Sequence, residues 1–255
     1  MSGGARAVLA GLGIAGVVFV ILWGAVDLPA VGHYLGPYGD VVTPLAVFAR
    51  HSTDAVSAVN FDFRGIDTLG EEFILFTSVL GVTLLLRQSE EGAKGEGESE
   101  DRAQGRPTPS TGDAVRSFGS GMVGLLVLFG TYMVTHGTVT PGGGFQGGVI
   151  LATVPLLVYL SSSAEIFERI APRRLVEAGE SAGAFGYVLV GLFGVIAGVE
   201  FLRNVVPLGK TGTLTGGGTT VLLNLTVGLE VATGFVLLML AFVDEALQRR
   251  RRAQR

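Results

Sequence analysis

Long runs of apolar residues alternate with polar stretches along the chain and predict helices that cross a membrane. Such a helix needs about 20 mostly apolar residues. Two shorter runs reach this length only when their polar edges are included, so the second helix is expected to begin near Thr68. The pattern predicts an all-α polytopic membrane protein of about six transmembrane helices, at 8–26, 68–86, 118–134, 145–160, 182–199 and 220–243.

The first apolar run, 8–26, also resembles the core of a secretory signal peptide. It is longer than the ~7–15 apolar residues that are usual in such a core, and no small-residue cleavage site follows it cleanly. We therefore interpret this run as a retained membrane anchor.

Polar stretches divide the chain into parts. Residues 88–113 are rich in Glu, Gly, Ser and Pro and have no apolar face, so they predict a disordered cytoplasmic linker. The predicted organisation is a two-helix unit at 1–90, the linker at 91–113 and a four-helix domain at 114–255. Between the first two spans, apolar residues at helical spacing predict a short interfacial helix at 44–59.

Basic residues are distributed unequally between the two sides that six spans would create. Of the 18 Lys and Arg residues, 14 fall on the side of the termini. Positive charge near span ends is retained on the cytoplasmic side, so both termini are expected in the cytoplasm and the protein in the cell membrane. The four basic residues on the outer side are Arg50, Arg64, Arg203 and Lys210.

The composition supports a membrane protein and removes several classes of site. Only 16% of the residues are charged, against about 25% in soluble domains. The 40 Gly residues suit close packing of membrane helices. The sequence has no Cys, which excludes disulfides and thiolate metal sites, and its three His lack metal-ligand spacing. No cofactor and no nucleic-acid partner is expected.

The most specific string, THGTVTPGGGFQGG, joins the third and fourth predicted spans at 135–148. Pro and consecutive Gly are costly inside an ordinary helix. One interpretation is a tight turn with close helix packing. The other is a hairpin that contacts an ion or a neighbouring protein, with His136 as a titratable group near its mouth. The motif consists of Pro141, Gly142, Gly143, Gly144, Phe145, Gly147 and Gly148.

Glu230 lies midway along the last predicted span, where an ionisable group is costly and is a functional candidate. Thr226 and Thr233 share its helix face and have the spacing to hydrogen-bond its carboxyl group. The alternative is a neutral glutamate that joins one helix to another.

Glu71 and Glu72 open the second predicted span in the string DTLGEEF. Thr68 and Glu71 have the spacing of a helix capping box. A carboxylate near the outer end of a span is equally a place where an ion could enter the membrane. Glu200, at the end of the fifth predicted span, is expected to reach the outer surface.

Two motifs resemble known membrane subunits. PGGGFQGG with its preceding His, in a four-helix unit, resembles the MnhB/MrpB family of Na⁺/H⁺ antiporter subunits over about 114–244. The string NFDFRGIDTLGE at 60–71 resembles both the C-terminal part of the large subunit MrpA and the small subunit MbhE of membrane-bound hydrogenases, over roughly 9–87. The chain then looks like a fusion of two subunits that are usually neighbours.

This resemblance implies a non-catalytic subunit of a multisubunit, complex I-related monovalent cation/proton antiporter. In that family the Glu that ends DTLGE is assigned to an ion path, which implies such a role for Glu71. The ion-path candidates are Glu71, Glu230, His136 and Asp67. The implied partners are the other Mrp-type subunits and the lipid bilayer.

Two alternatives stay open at this point. One is a purely structural scaffold in the same complex. The other is a membrane-arm subunit of a membrane-bound hydrogenase or another redox-driven ion pump. Because the six predicted spans contain no central Lys, we do not expect the chain to exchange ions by itself.

Overall fold

The structure, a computed structural model, describes residues 3–26, 36–91, 112–161 and 164–253. Within these ranges every regular element is a helix. The predicted linker at 91–113 lies almost entirely outside the described residues. The helices are α1 (Gly3–Val26), α2 (Tyr38–Arg50), α3 (Ala55–Ala58), α4 (Gly65–Glu91), α5 (Asp113–Thr135), α6 (Gly144–Ser161), α7 (Ala164–Ile170), α8 (Arg173–Ile196) and α9 (Thr219–Ala253), with a π-helical turn at Val59–Phe63.

The chain divides into two units, residues 1–41 and residues 42–255. The first unit contains α1, whose large apolar side chains, such as Phe19 and Trp23, are exposed. A helix that is apolar on all sides suits contact with lipid. The second unit contains the candidate site.

The core of the second unit is built around α9, which packs against α4, α6 and α8. Leu223, Val227 and Val231 of α9 are buried between these helices. At the far end of α9, Asp244 Oδ2 lies 3.6 Å from Nη1 of Arg173, the first residue of α8. Helices α8 and α9 therefore run antiparallel.

Within the part of the chain that the structure describes, five helical segments are long and apolar enough to cross a membrane, and they match the second to sixth predicted spans. The prediction of an all-α polytopic membrane protein is therefore confirmed. The apolar part of α1 within the described residues, Gly11–Val26, is shorter, so the first span stays a prediction. The five segments are Gly65–Leu86, Arg116–Thr135, Gly144–Ser161, Arg173–Ile196 and Thr219–Glu245.

The fifth span is displaced from its predicted position at 182–199. Helix α8 begins at Arg173 and ends at Ile196. A search for apolar runs misses its first turns because they contain Glu177 and Glu180. The displacement matters for function because it brings the Glu180 carboxyl group into a membrane-spanning segment.

The prediction of one short helix at 44–59 is wrong. Helix α2 ends at Arg50, and His51 has a left-handed backbone conformation (φ 52°) that no helix continues through. Asp54 then starts α3 as its N-cap, because its side chain accepts a hydrogen bond from the Val56 backbone N–H (2.9 Å). The apolar spacing alone contains no signal for this break.

Candidate functional site

Three glutamates are buried where α4, α8 and α9 meet. The exposed fractions of Glu72, Glu180 and Glu230 are 1%, 7% and 0%. An ionised carboxylate at membrane depth is costly and usually marks a pathway or a paired site. We call these three residues the acidic seam.

Glycines on α8 allow this helix to lie directly against α9 at Glu230. A Cβ atom built on Gly183 would lie 2.6 Å from the Glu230 backbone nitrogen, which is closer than real side chains approach. On the same face, Cβ atoms built on Gly179 and Gly186 would lie 2.7 Å and 2.8 Å from threonine methyl groups of α9. This glycine face of α8 fixes the position of Glu230 in the helix contact.

Two hydrogen bonds fix the start of α4 against its neighbours. The Tyr187 hydroxyl of α8 donates to the Gly65 carbonyl oxygen (2.9 Å). The Thr68 hydroxyl donates to the Asn60 carbonyl oxygen (2.7 Å). Both bonds lie within two turns of Glu72 and orient the face of α4 that carries it.

Glu72 of α4 faces Glu230 of α9, close enough for electrostatic interaction and for a shared hydrogen bond. All four carboxyl oxygens are buried, and none of them meets the full distance and angle of a hydrogen bond to a partner among the described residues. Two ionised carboxylates offer only acceptors, and one added proton would supply a donor. The pair therefore suits a shared proton or a bound cation.

Glu180 continues the seam toward the end of the bundle where α8 begins. Its Oε1 atom lies 3.9 Å from the Cβ position of Gly234, one helical turn beyond Glu230, and has no hydrogen-bond partner among the residues described. It is within electrostatic range of Glu230 and Glu177. Glu177 pairs with Arg173 (Oε1–Nε 2.9 Å). The seam thus leads from a buried pair to a charged helix end.

The glycine motif joins α6, α9 and the segment before α4 at the opposite end of the bundle. The Gly144 backbone N–H donates to Asn224 Oδ1 (2.9 Å), and the Asn224 amide donates to Ser57 Oγ (3.0 Å). Cβ atoms built on Gly147 and Gly148 would collide with valines of α5 and α9. These contacts give the motif a packing role, whereas contact with an ion or a neighbouring protein stays a prediction.

Asp54 is a buried carboxyl outside the membrane-spanning segments. It is 7% exposed, and this burial raises the pKa of Asp54 above its ordinary value of 3.8. Backbone N–H groups near the carboxyl, those of Ser57, Val56 and Gly142, act in the opposite direction. Asp54 therefore connects the start of α3 with the glycine motif.

The structure places Glu71 on the exposed side of α4, outside the acidic seam. The capping-box interpretation is wrong, because α4 begins at Gly65 and the Thr68 hydroxyl donates to Asn60. The predicted role of Glu71 in an ion path stays a prediction.

Asp67 and His136 have local partners apart from the seam. Asp67 is exposed in the first turn of α4 and accepts a hydrogen bond from Arg64 Nε (2.6 Å). The His136 ring stacks on Tyr132 with 4.0 Å between ring centroids, and its Nδ1 atom lies 3.1 Å from the Tyr132 carbonyl oxygen. These contacts hold His136 at the end of α5.

The predicted hydrogen bonds from two threonines to the Glu230 carboxyl group are wrong. The Thr226 hydroxyl donates to the Leu223 carbonyl oxygen (2.9 Å), and the Thr233 hydroxyl donates to that of Leu229 (2.7 Å). A hydroxyl in a helix can satisfy itself on its own preceding turn. Glu230 therefore has neither threonine as a donor.

Sequence reasoning missed Glu180 and named Glu71, and not Glu72, as the candidate in α4. Glu180 lies in a charged stretch before the expected span, so no apolar pattern marks it. Adjacent residues point about 100° apart around a helix, which indicates that only one of Glu71 and Glu72 faces the bundle. The sequence contains no signal for which one.

Comparison with known proteins supports a common origin with antiporter subunits. A family model described as a domain related to the MnhB subunit of Na⁺/H⁺ antiporter matches residues 115–251. An uncharacterized protein from Methanocaldococcus jannaschii is 31% identical over 200 residues, which cover 70% of this chain and 72% of that protein. A probable A/B subunit of a K⁺/H⁺ antiporter from Rhizobium meliloti is 29% identical over 143 residues, covering 50% of this chain and 14% of that longer protein.

A solved structure is also similar over nearly the whole chain. It is that of the membrane-bound sulfane sulfur reductase, an archaeal respiratory membrane complex, with a TM-score of 0.68 and 28% identity. The match covers 94% of this chain and 98% of the chain in that complex. Since the family model covers more than half of the sequence, the chain belongs to the family of domains related to the MnhB subunit of the Na⁺/H⁺ antiporter.

Proposed function

We propose that the chain is a membrane subunit of an Mrp-type cation/proton antiporter, and that the acidic seam is a segment of its ion path. The observation that carries this proposal is the burial of three carboxyl groups, Glu72, Glu180 and Glu230, at one helix junction. Charged groups in such positions mark ion pathways and proton relays. The chain acts in this proposal as a transporter subunit in the cell membrane and needs partner subunits.

A purely structural role for the seam would require the carboxyl groups to join helices through hydrogen bonds. An unpaired polar group in a low-dielectric interior is costly. A site with only a structural role would therefore be expected to pair each buried carboxyl oxygen with a donor. Apart from each other, the buried carboxyl groups of Glu72 and Glu230 have no hydrogen-bond partner among the described residues, and two ionised carboxylates cannot bond to each other without an added proton. The arrangement therefore favours a group that is present only part of the time, namely a transported proton or cation.

The seam also bears on the proposed fusion of two subunits. Glu72 belongs to the proposed two-helix unit at 1–90, whereas Glu180 and Glu230 belong to the proposed domain at 114–255. The relative from Rhizobium meliloti is named as an A/B subunit, which agrees with two joined subunits. In this proposal the fusion keeps both sides of the seam on one chain.

The path can be tested on the intact complex with a matched pair of substitutions. We expect Glu72→Gln to reduce cation/proton exchange in proteoliposomes by at least tenfold, because this carboxyl is buried in the seam and an amide can neither carry a proton nor hold a negative charge. Glu71→Gln should reduce exchange less, because its carboxyl is exposed on the same helix. Exchange by Glu72→Gln at the wild-type rate, in a complex that purifies intact, would sink the path.

A second candidate is a membrane-arm subunit of a redox-driven pump. It is favoured by the match to a chain of the sulfane sulfur reductase complex over 98% of that chain. An affinity tag on this protein separates the two candidates. Co-purification with antiporter subunits alone supports the antiporter, and co-purification with proteins that bind metal clusters supports the redox-driven complex.

A further inference from the structure

We propose that the acidic seam conducts protons and not metal cations, in the order Glu72, Glu230, Glu180, and that Glu180 is its last buried step. This inference rests on the proposed role of the seam in an ion path. It adds the ion that the seam carries and assigns a function to Glu180.

The ligands available in the seam favour a proton. A metal cation leaving water needs several oxygen ligands to replace its hydration shell. Among the described residues, no three acidic or histidine side chains converge on one point where they could hold a metal ion together. Gly183 brings the α8 backbone against Glu230, and Val79, Val227 and Val231 contribute apolar surface nearby. The seam therefore offers carboxyl oxygens and little else, whereas a proton needs one carboxyl at a time.

The order of the groups follows from the helix contacts. Glu72 and Glu230 face each other. The Glu180 carboxyl lies beside Gly234, which is four residues, or about 6 Å, further along α9 than Glu230. Rotation of two glutamate side chains can close an offset of one turn. Glu177 then lies within electrostatic range of Glu180 and marks the charged end of α8.

The transfer balances without a further reactant. When a proton passes from Glu72 to Glu230, the O–H bond at Glu72 breaks and a new one forms at Glu230. The negative charge moves to Glu72, and the total charge of the seam does not change. The same exchange between Glu230 and Glu180 moves the proton one step toward Glu177. The other titratable groups near the seam are Glu71 on α4 and Tyr187 on α8.

The test compares two carboxyl substitutions in the purified complex, reconstituted in vesicles. Glu180→Gln keeps the size of the side chain but cannot carry a proton, so proton flux should fall at least tenfold with assembly intact. Glu200→Gln, in the exposed loop after α8, is the matched control and should keep the wild-type rate. Glu180→Asp should retain partial flux. Wild-type flux in Glu180→Gln overturns the relay.

Two readouts distinguish a proton from a metal cation. If the seam carries protons, Glu180→Asp should shift the pH profile of exchange and leave the apparent KM for Na⁺ or K⁺ unchanged. A changed KM at constant pH profile overturns proton conduction in favour of a cation site. If the proposed function itself fails, the wild-type complex shows no exchange, which differs from a failed relay, where wild type and Glu180→Gln exchange equally.

Infrared difference spectra across a pH step read the same carboxyl groups without transport. We expect a band of protonated carboxyl that Glu230→Gln and Glu180→Gln each diminish and Glu200→Gln leaves in place. If Glu230→Gln and Glu180→Gln both leave the band unchanged, the relay is overturned, whatever rate of cation/proton exchange the complex shows. If Glu180→Gln fails to assemble, Glu180→Asp takes its place in the test. A pH profile of exchange in Glu180→Asp that is identical to that of the wild type would then overturn the relay.

Discussion

Asp54 combines two opposing effects in one side chain. As the N-cap of α3 it accepts a hydrogen bond from the Val56 backbone N–H, which stabilises the helix start. Its burial disfavours the charged form and raises its pKa above 3.8. Its Oδ2 atom has no hydrogen-bond partner among the described residues. The protonated form therefore fits this position better than the ionised form.

The pH dependence that follows has a definite sign. A carboxyl with a raised pKa in the folded state contributes stability that is complete below its unfolded value, here about 3.8. That contribution is lost as the pH rises through the raised pKa. Asp54→Asn should keep the helix cap and remove this decrease of folding stability with pH. Thermal unfolding of the detergent-solubilised protein from pH 3 upward measures the effect.

A companion substitution controls for the cap itself. Asp54→Ala removes the acceptor, so its stability should lie about 1 kcal/mol below that of Asp54→Asn across the whole pH range, because neither variant titrates at this position. An Asp54→Asn protein whose stability falls with pH as steeply as the wild type would contradict the assigned pKa shift.

Helix α8 shows how small residues determine which polar groups meet. Its glycine face brings the α9 backbone so close that a methyl group at Gly183 would have to separate the two helices. Overpacking of this kind costs about 1–3 kcal/mol. The same face sets the distance at which the seam carboxyls from α8 and α9 interact.

Gly183→Ala should therefore lower the thermal stability of the purified protein. It should also reduce the rate of cation/proton exchange, because it separates the helices that carry the seam carboxyls. Gly70→Ala on α4 is the control, because a Cβ atom there has nothing within 4 Å among the described residues. We expect it to be neutral or slightly stabilising, since alanine favours helix. Equal stability of the two variants would mean that α8 and α9 are not in the contact described.

The sequence predicts those features of the helices that depend on local composition. Runs of apolar residues identified five spans because lipid contact selects apolar side chains over a whole helix. They missed the start of α8, where Glu177 and Glu180 interrupt the run. The apolar runs also carry no information about which residues of two helices lie opposite each other. Only the packing of α4 against α9 shows that Glu72 and not Glu71 faces Glu230. A seam built by three helices depends on contacts that no single segment encodes.

The arrangement of the whole protein across the membrane is predicted from charge. A reporter fused after Arg255 should be cytoplasmic, and a reporter in the loop at 207–217 should be external. The antiparallel packing of α8 and α9 agrees with a loop and a C-terminus on opposite sides. The activity of the two fusions, measured with a reporter that works on one side only, checks the prediction. The reverse result for either fusion would mean that one span is miscounted.

The distribution of the acidic seam along the chain has a consequence for biosynthesis. Glu72 leaves the ribosome well before Glu230, because α4 precedes α9 along the chain. Until that helix is inserted, the nascent chain holds a carboxyl group at membrane depth without the surroundings that accommodate it. A chain released too soon would thus expose a polar defect to the proteases and chaperones of membrane quality control, and completion of α9 is the event that conceals it.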